Sequence, residues 1–146
     1  MLKRLMDCVV LIMTKKGFVG NIEKDTAKNS DFRRVLYTGK YSQLVLMSLK
    51  PGEEIGEEVH DDVDQFFRFE QGEGKVIIDD VEHKVHDGMA AIVPSGAKHN
   101  VVNTSKSEDL RLYTIYSPPE HQDKVVRHTR AQAMAEEEHY EGKPTE

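Results

Sequence analysis

The sequence predicts an all-β protein built as an antiparallel sandwich or barrel. Two observations predict it. Short runs of strand composition recur at regular spacing between residues 33 and 116, each closed by Gly, Pro or Asp turn residues. The same stretch carries no long amphipathic helical pattern. At 146 residues the chain is one domain by length. Its 38 % hydrophobic and 32 % charged content supports a single modest core under a well-solvated surface.

The elements follow in order. Residues 14–31 are mixed polar with no sustained period and read as loop, with room for one short strand. Arg33–Thr38 (RRVLYT) is a strand ending at the Gly39-Lys40 turn. Gln43–Leu49 (QLVLMSL) is a buried strand closed by Pro51-Gly52. Phe66–Glu70 is aromatic-rich and stops at Gln71-Gly72-Glu73-Gly74. Lys75–Ile78 and Val81–Val85 form a hairpin about Asp79-Asp80. Asp87-Gly88 is a further turn, and Met89–Val93 is a strand ending at Pro94-Ser95-Gly96. His99–Asn103 and Leu110–Tyr116 complete the set. After Ser117-Pro118-Pro119, Thr129–His139 favours a short helix with a thin apolar face, docked or frayed. Gly142–Glu146 reads as disordered. The expected organisation is therefore a partly irregular extension over 1–30, a β-barrel over 31–119, and a helical or flexible tail over 120–146.

Charge and cysteine usage narrow the partners. A net charge of −6 argues against nucleic acid. The single cysteine, Cys8, excludes an intrachain disulfide and fits a reducing compartment, so a cytoplasmic location is expected. Met1–Met13 superficially resembles a signal peptide. However, Asp7 interrupts its short apolar run, no small-residue cleavage site follows, and it is far too short to span a bilayer. Either translation begins at Met13 or these residues add a terminal strand.

Two spaced patterns carry the chemistry. The first is Gly52-(five)-Glu58-x-His60-(four)-Gln65-(six)-Gly72. The second is Gly88-(five)-Pro94-x-Gly96-(two)-His99-(three)-Asn103. Residues i and i+2 of a strand share a face, so Glu58 projects with His60, Gln65 with Phe67 and Phe69, and His99 with Val101 and Asn103. Three stretches thus aim polar groups into one interior. A buried carboxylate and imidazoles need partners there, and a divalent cation would satisfy them together.

These patterns resemble the two signature motifs of the cupin family. The second motif matches at every defining position. In the first, Glu58 stands where the family has a histidine and Gln65 where it has a glutamate. The resemblance implies an antiparallel double-stranded β-helix, the jelly-roll cupin barrel, over roughly residues 35–117. It also implies one divalent metal ion held by Glu58, His60, Gln65 and His99. The exchanges conserve ligand charge, because the carboxylate has only moved from one position to another. Glu58, His60 and His99 form a two-histidine, one-carboxylate set of the kind that binds non-haem Fe(II) with open positions. Gln65 is a weak neutral fourth ligand, or it bonds a backbone group. The donors suit Mn, Fe, Ni or Zn.

Asp61, Asp62 and Asp64 form a solvated loop, from which one could orient a ligand imidazole. Phe67 and Phe69 are core. At most one of Tyr113 and Tyr116 faces the interior. Arg34 and Arg111 would suit an anionic substrate if they reached inward, although a surface position is the default for each. His83, His86, His121, His128 and His139 are expected in solvent. Together these features favour a metal-dependent enzyme acting on a small polar chelating molecule, either an oxygenase or a mannose-6-phosphate isomerase-like isomerase. The alternative is a metal-free, non-catalytic binding module. The resemblance further implies a homodimer, to whose sheet the Val9–Ile12 run could add, and neither nucleic acid nor a membrane is expected as a partner.

Overall fold

Alternating side-chain direction along the strands gives each of two sheets an inward face on a shared core. The computed structural model describes residues 14–146, in which ten strands form. They are β1 (Arg33–Thr38), β2 (Gln43–Leu49), β3 (Glu58–Val59), β4 (Asp64–Gln71), β5 (Glu73–Ile78), β6 (Val81–His86), β7 (Ala90–Val93), β8 (Lys98–Asn103), β9 (Leu110–Ser117) and β10 (Val126–Arg127). The larger sheet runs β10-β1-β2-β9-β4-β7 and the smaller β3-β8-β5-β6, with every pairing antiparallel. This is the jelly-roll sandwich expected from the sequence.

In β4 the alternation buries Gln65, Phe67 and Phe69 and leaves Phe66 and Arg68 on the other face. Phe67 and Phe69 pack with Met47, Leu49, Leu110 and Leu112 between the sheets. The Asp79-Asp80 hairpin forms as read, with both residues at positive φ (45° and 67°), the geometry of a tight two-residue turn. Gly74 is required by close packing: a Cβ there would lie 2.4 Å from the Val102 carbonyl oxygen.

Three segments differ from the sequence reading. Residues 14–31 contain a helix, α1 (Ile22–Lys28), and not merely loop. Asn21 caps it, its side chain accepting from Lys24 N–H, and Thr26 Oγ1 turns inward to the Ile22 carbonyl. At seven residues the helix is too short for a periodic pattern to show. Next, β10 extends the larger sheet beyond β1, with Arg33 opposite Arg127. Finally, the C-terminal segment returns to the barrel. Helix α2 (Arg130–Ala135), capped by Thr129, buries Ala133. Gly142–Glu146, expected to be disordered, is hydrogen-bonded instead. Thr145 exchanges bonds with the Thr38 backbone, and the Glu146 carboxylate accepts from Lys16 N, Gly17 N and the Tyr37 hydroxyl. Cys8 and the Val9–Ile12 run lie outside the described residues. Among the described residues no helix is long and apolar enough to cross a membrane.

Candidate metal centre

Strand β3 is only two residues long, and its register decides the site. Glu58 lies directly opposite His99 of β8. His60 follows two residues on, so its side chain leaves the same face. The two motifs are tied by their backbones, since Gly96 N–H donates to the His60 carbonyl at 2.7 Å. Gly96 makes that turn at φ 85°, a region closed to most other residues. Asp61 and Asp62 are exposed, as expected for a solvated loop, whereas Asp64, also exposed, is the first residue of β4 and fixes the same turn by accepting from Ser95 N–H.

Glu58, His60 and His99 each offer a ligand atom, and these atoms lie within 4.8 Å of one another. Glu58 Oε2 is 3.2 Å from His60 Nε2 and 3.9 Å from His99 Nε2. Two ligands each about 2.0–2.2 Å from one ion, at right or tetrahedral angles, stand roughly 3–3.6 Å apart. The cluster is near those dimensions. The His99 tautomer also suits a metal. Nδ1 faces the Ala97 carbonyl at 3.2 Å, which can only accept, so Nδ1 holds the proton and the Nε2 lone pair is free. That Nε2 is buried and has no hydrogen-bond partner, and neither has the buried Gln65 Oε1. Orphaned acceptors of this kind cost free energy unless something electropositive meets them. Gln65 is only 2 % exposed, and its Nε2 donates to Thr114 Oγ1 at 3.0 Å, leaving Oε1 as the available atom. The residues present therefore fit a divalent ion.

The local electrostatics agree. Burial alone would raise the Glu58 carboxyl, but the His60 hydrogen bond and charge, with weaker help from Arg33 and His99, hold it below its usual range. Its hydrogen bond to Glu58 in turn raises His60, against a smaller opposing effect of burial. Burial lowers His99 and keeps it neutral, as a ligand imidazole must be. A metal would take over the role that the His60 proton plays beside Glu58.

Beside Glu58 and His60 lies a cavity of about 140 Å³, whose lining also includes Arg33, Glu120, Glu137 and Glu138. Several of its residues escaped the sequence reading. Glu120 Oε1 stands 3.6 Å from His60 Nδ1. Burial raises the Glu120 carboxyl against the pull of His60. His121, expected in solvent, is 8 % exposed. Its Nδ1 bonds Glu138 at 2.9 Å and its Nε2 meets the Tyr116 hydroxyl at 3.2 Å. The cause is the return of the C-terminal segment, which brings Glu138 over a histidine that local sequence places in a tail. Of the two tyrosines Tyr116 faces inward, its ring 6.1 Å from that of His60, while Tyr113 packs on Phe66 on the other face. Arg34 and Arg111 do not reach the cavity. Arg34 pairs with Asp31, and Arg111 caps the Ala27 carbonyl at the end of α1. The inward arginine is Arg33. It shares its face with buried Val35, and that alternation was the signal available in the sequence. His83, His86, His128 and His139 are exposed, as expected.

Comparison with known proteins places these features. A family model described as the cupin domain matches residues 45–116. An uncharacterized Bacillus subtilis protein, YrkC, is 46 % identical over 129 residues, covering 84 % of this chain and 69 % of its own length. The uncharacterized protein L612 of Acanthamoeba polyphaga mimivirus is 43 % identical over 107 residues, covering 71 % and 67 %. The crystal structure of BH2720 from Bacillus halodurans superposes with a TM-score of 0.81 at 42 % identity, covering 85 % of this chain and 98 % of that one.

Proposed function

The chain belongs to the cupin superfamily, and from that premise we propose that it is a divalent-metal protein whose centre is Glu58, His60 and His99, with Gln65 as a weak fourth donor. The observation that carries the proposal is the pair of buried, partnerless acceptors, His99 Nε2 and Gln65 Oε1, in the barrel that places Glu58 against both imidazoles. The ion is one of Mn, Fe, Ni or Zn. Such an ion supplies a Lewis acid and open positions for adjacent oxygens of a small polar molecule. Glu58 contributes the anionic ligand, and its hydrogen-bonded position beside His60 fixes where that charge lies. The Ala97 carbonyl locks the His99 tautomer, and buried Phe67 packs beside it, ring centres 6.2 Å apart. Oxygenase chemistry and Lewis-acid isomerisation both suit this arrangement, and we carry both forward.

The test is metal content by plasma mass spectrometry on tag-free protein and on the His60→Ala/His99→Ala variant. Near-stoichiometric metal that vanishes in the variant supports the centre. No metal in the parent, even after anaerobic loading with each ion, refutes it and leaves a metal-free binding module. The homodimer is likewise proposed, and a monomeric mass by light scattering at micromolar concentration would remove it.

A further inference from the structure

Arg33 is 5 % exposed on the inward face of β1, opposite Met47 of β2. A guanidinium buried to that degree has five N–H donors to satisfy and is costly without them. Arg33 is poorly served. Its one ion pair is a 3.5 Å contact from Nη1 to Glu138 Oε1, and its buried Nε has no hydrogen-bond partner. Glu138 is held more closely by others, taking Arg127 Nη2 at 3.2 Å and His121 Nδ1 at 2.9 Å. The Glu138 charge is therefore largely answered without Arg33, and Arg33 keeps donor capacity in the cavity that Glu58 and His60 also line.

The cavity limits what could use that capacity. It is open on one side, and at about 140 Å³, close to the ~150 Å³ that encloses benzene, the part of a ligand it holds has on the order of six non-hydrogen atoms. The walls carry Glu58, Glu120, Glu137 and Glu138, which disfavour a phosphate dianion. A monoanion is tolerated, because a dication on Glu58 leaves the centre net positive. A planar guanidinium fork matches a carboxylate in geometry and charge.

We propose that Arg33 anchors the ligand of this site, and that the ligand is a small carboxylic acid with a second oxygen beside the carboxyl group, a 2-hydroxy or 2-oxo acid. Its carboxylate meets Arg33 while the adjacent oxygen faces Glu58 and His60, the two members of the metal group that line the cavity. The proposal deepens the metal reading and rests on it for that second contact.

The experiment is calorimetric titration of the protein with glycolate, lactate and pyruvate, each against its neutral amide, with metal content measured on the same samples. The parent is expected to bind at least one acid roughly tenfold or more tighter than its amide, as charge-assisted hydrogen bonds imply. Arg33→Met should abolish that preference with metal content unchanged. Arg33→Lys, which keeps the charge and loses the fork, should retain part of it and serves if the methionine variant does not fold. A parent that prefers no acid over its amide, or an Arg33→Lys variant that matches the parent, overturns the proposal. A metal-free parent that still discriminates acid from amide sinks the metal reading and leaves the anchor standing.

Discussion

Replacing Glu138 by Gln tests the charge network beside the cavity. In the parent the carboxylate accepts from Arg127 Nη2 at 3.2 Å and His121 Nδ1 at 2.9 Å, with Arg33 Nη1 at 3.5 Å. The Glu138 and Arg33 side chains are both over nine-tenths buried. Glutamine fills the same volume but offers one acceptor oxygen and turns an amide N–H₂ toward cationic donors. One charge-assisted bond is lost, worth about 1.5–3 kcal/mol, while the 3.5 Å contact is at the outer limit and adds little. We expect a loss of about 2 kcal/mol near neutral pH, which at a urea slope of about 2 kcal/mol/M lowers the unfolding midpoint by about 1 M. The loss must depend on pH. Burial alone would raise Glu138, but its His121 bond and the charges of His121, Arg33 and Arg127 outweigh it, so its folded value is depressed. A depressed carboxyl stabilises fully above its unfolded value of about 4.3, and that stabilisation is lost as pH falls through the folded value. Urea curves of parent and variant should therefore separate at neutral pH and converge in acid. A difference under about 0.5 kcal/mol at neutral pH, or one that persists undiminished at about pH 3, would refute the reasoning.

Three further outcomes are expected. Gly74→Ala should destabilise by about 2–3 kcal/mol in urea melts, because the new Cβ meets the Val102 carbonyl at 2.4 Å and Leu110 Cδ2 at 2.8 Å. A free-metal concentration a hundredfold above Kd should stabilise the parent by about 2.7 kcal/mol in calorimetric melts, while His99→Ala should show no shift and Gln65→Leu an intermediate one. Asp31→Asn should cost no more than about 1 kcal/mol, since its partners Arg34 and His128 are largely exposed. Burial works to raise the Asp31 carboxyl, but its bonds to His128 and Arg34 prevail and depress it, so this small loss too should fade as pH falls below the carboxylate range.

The barrel was legible because its signals are local. Asp79-Asp80 makes its own turn, and the alternation of Gln65, Phe67 and Phe69 declares a strand face without reference to the rest of the chain. The motif spacing likewise brought Glu58, His60 and His99 to one place. What could not be read depends on distant partners. His121 looks like a tail histidine until Glu138 and Tyr116 close on it. Helix α1 owes its docking to Arg111, 84 residues from Ala27, and its seven residues are too few to show a period. Arg33 and Arg34 are neighbours of identical type, and only the inward Val35 decides between them. Arg34 takes the surface position that is its default and pairs with Asp31, while Arg33 turns inward beside it.

This division has a consequence for how the site could change. The three charged or imidazole donors sit on β3, the residue after it, and β8, where the pairing of Glu58 with His99 and the Gly96–His60 backbone bond fix them together. The groups that would meet a ligand beyond the metal come from elsewhere: Arg33 from β1, and Glu120, Glu137 and Glu138 from beyond β9. Arg33, Glu137 and Glu138 make no hydrogen bond to a proposed donor, so metal affinity and ligand choice should be separable at those positions, whereas Glu120, 3.6 Å from His60 Nδ1, bears on both. Arg33 is the residue at which the two can be pulled apart. It is an inward cation that makes no bond to any of the proposed metal donors and that β1, a strand outside both motifs, holds in place.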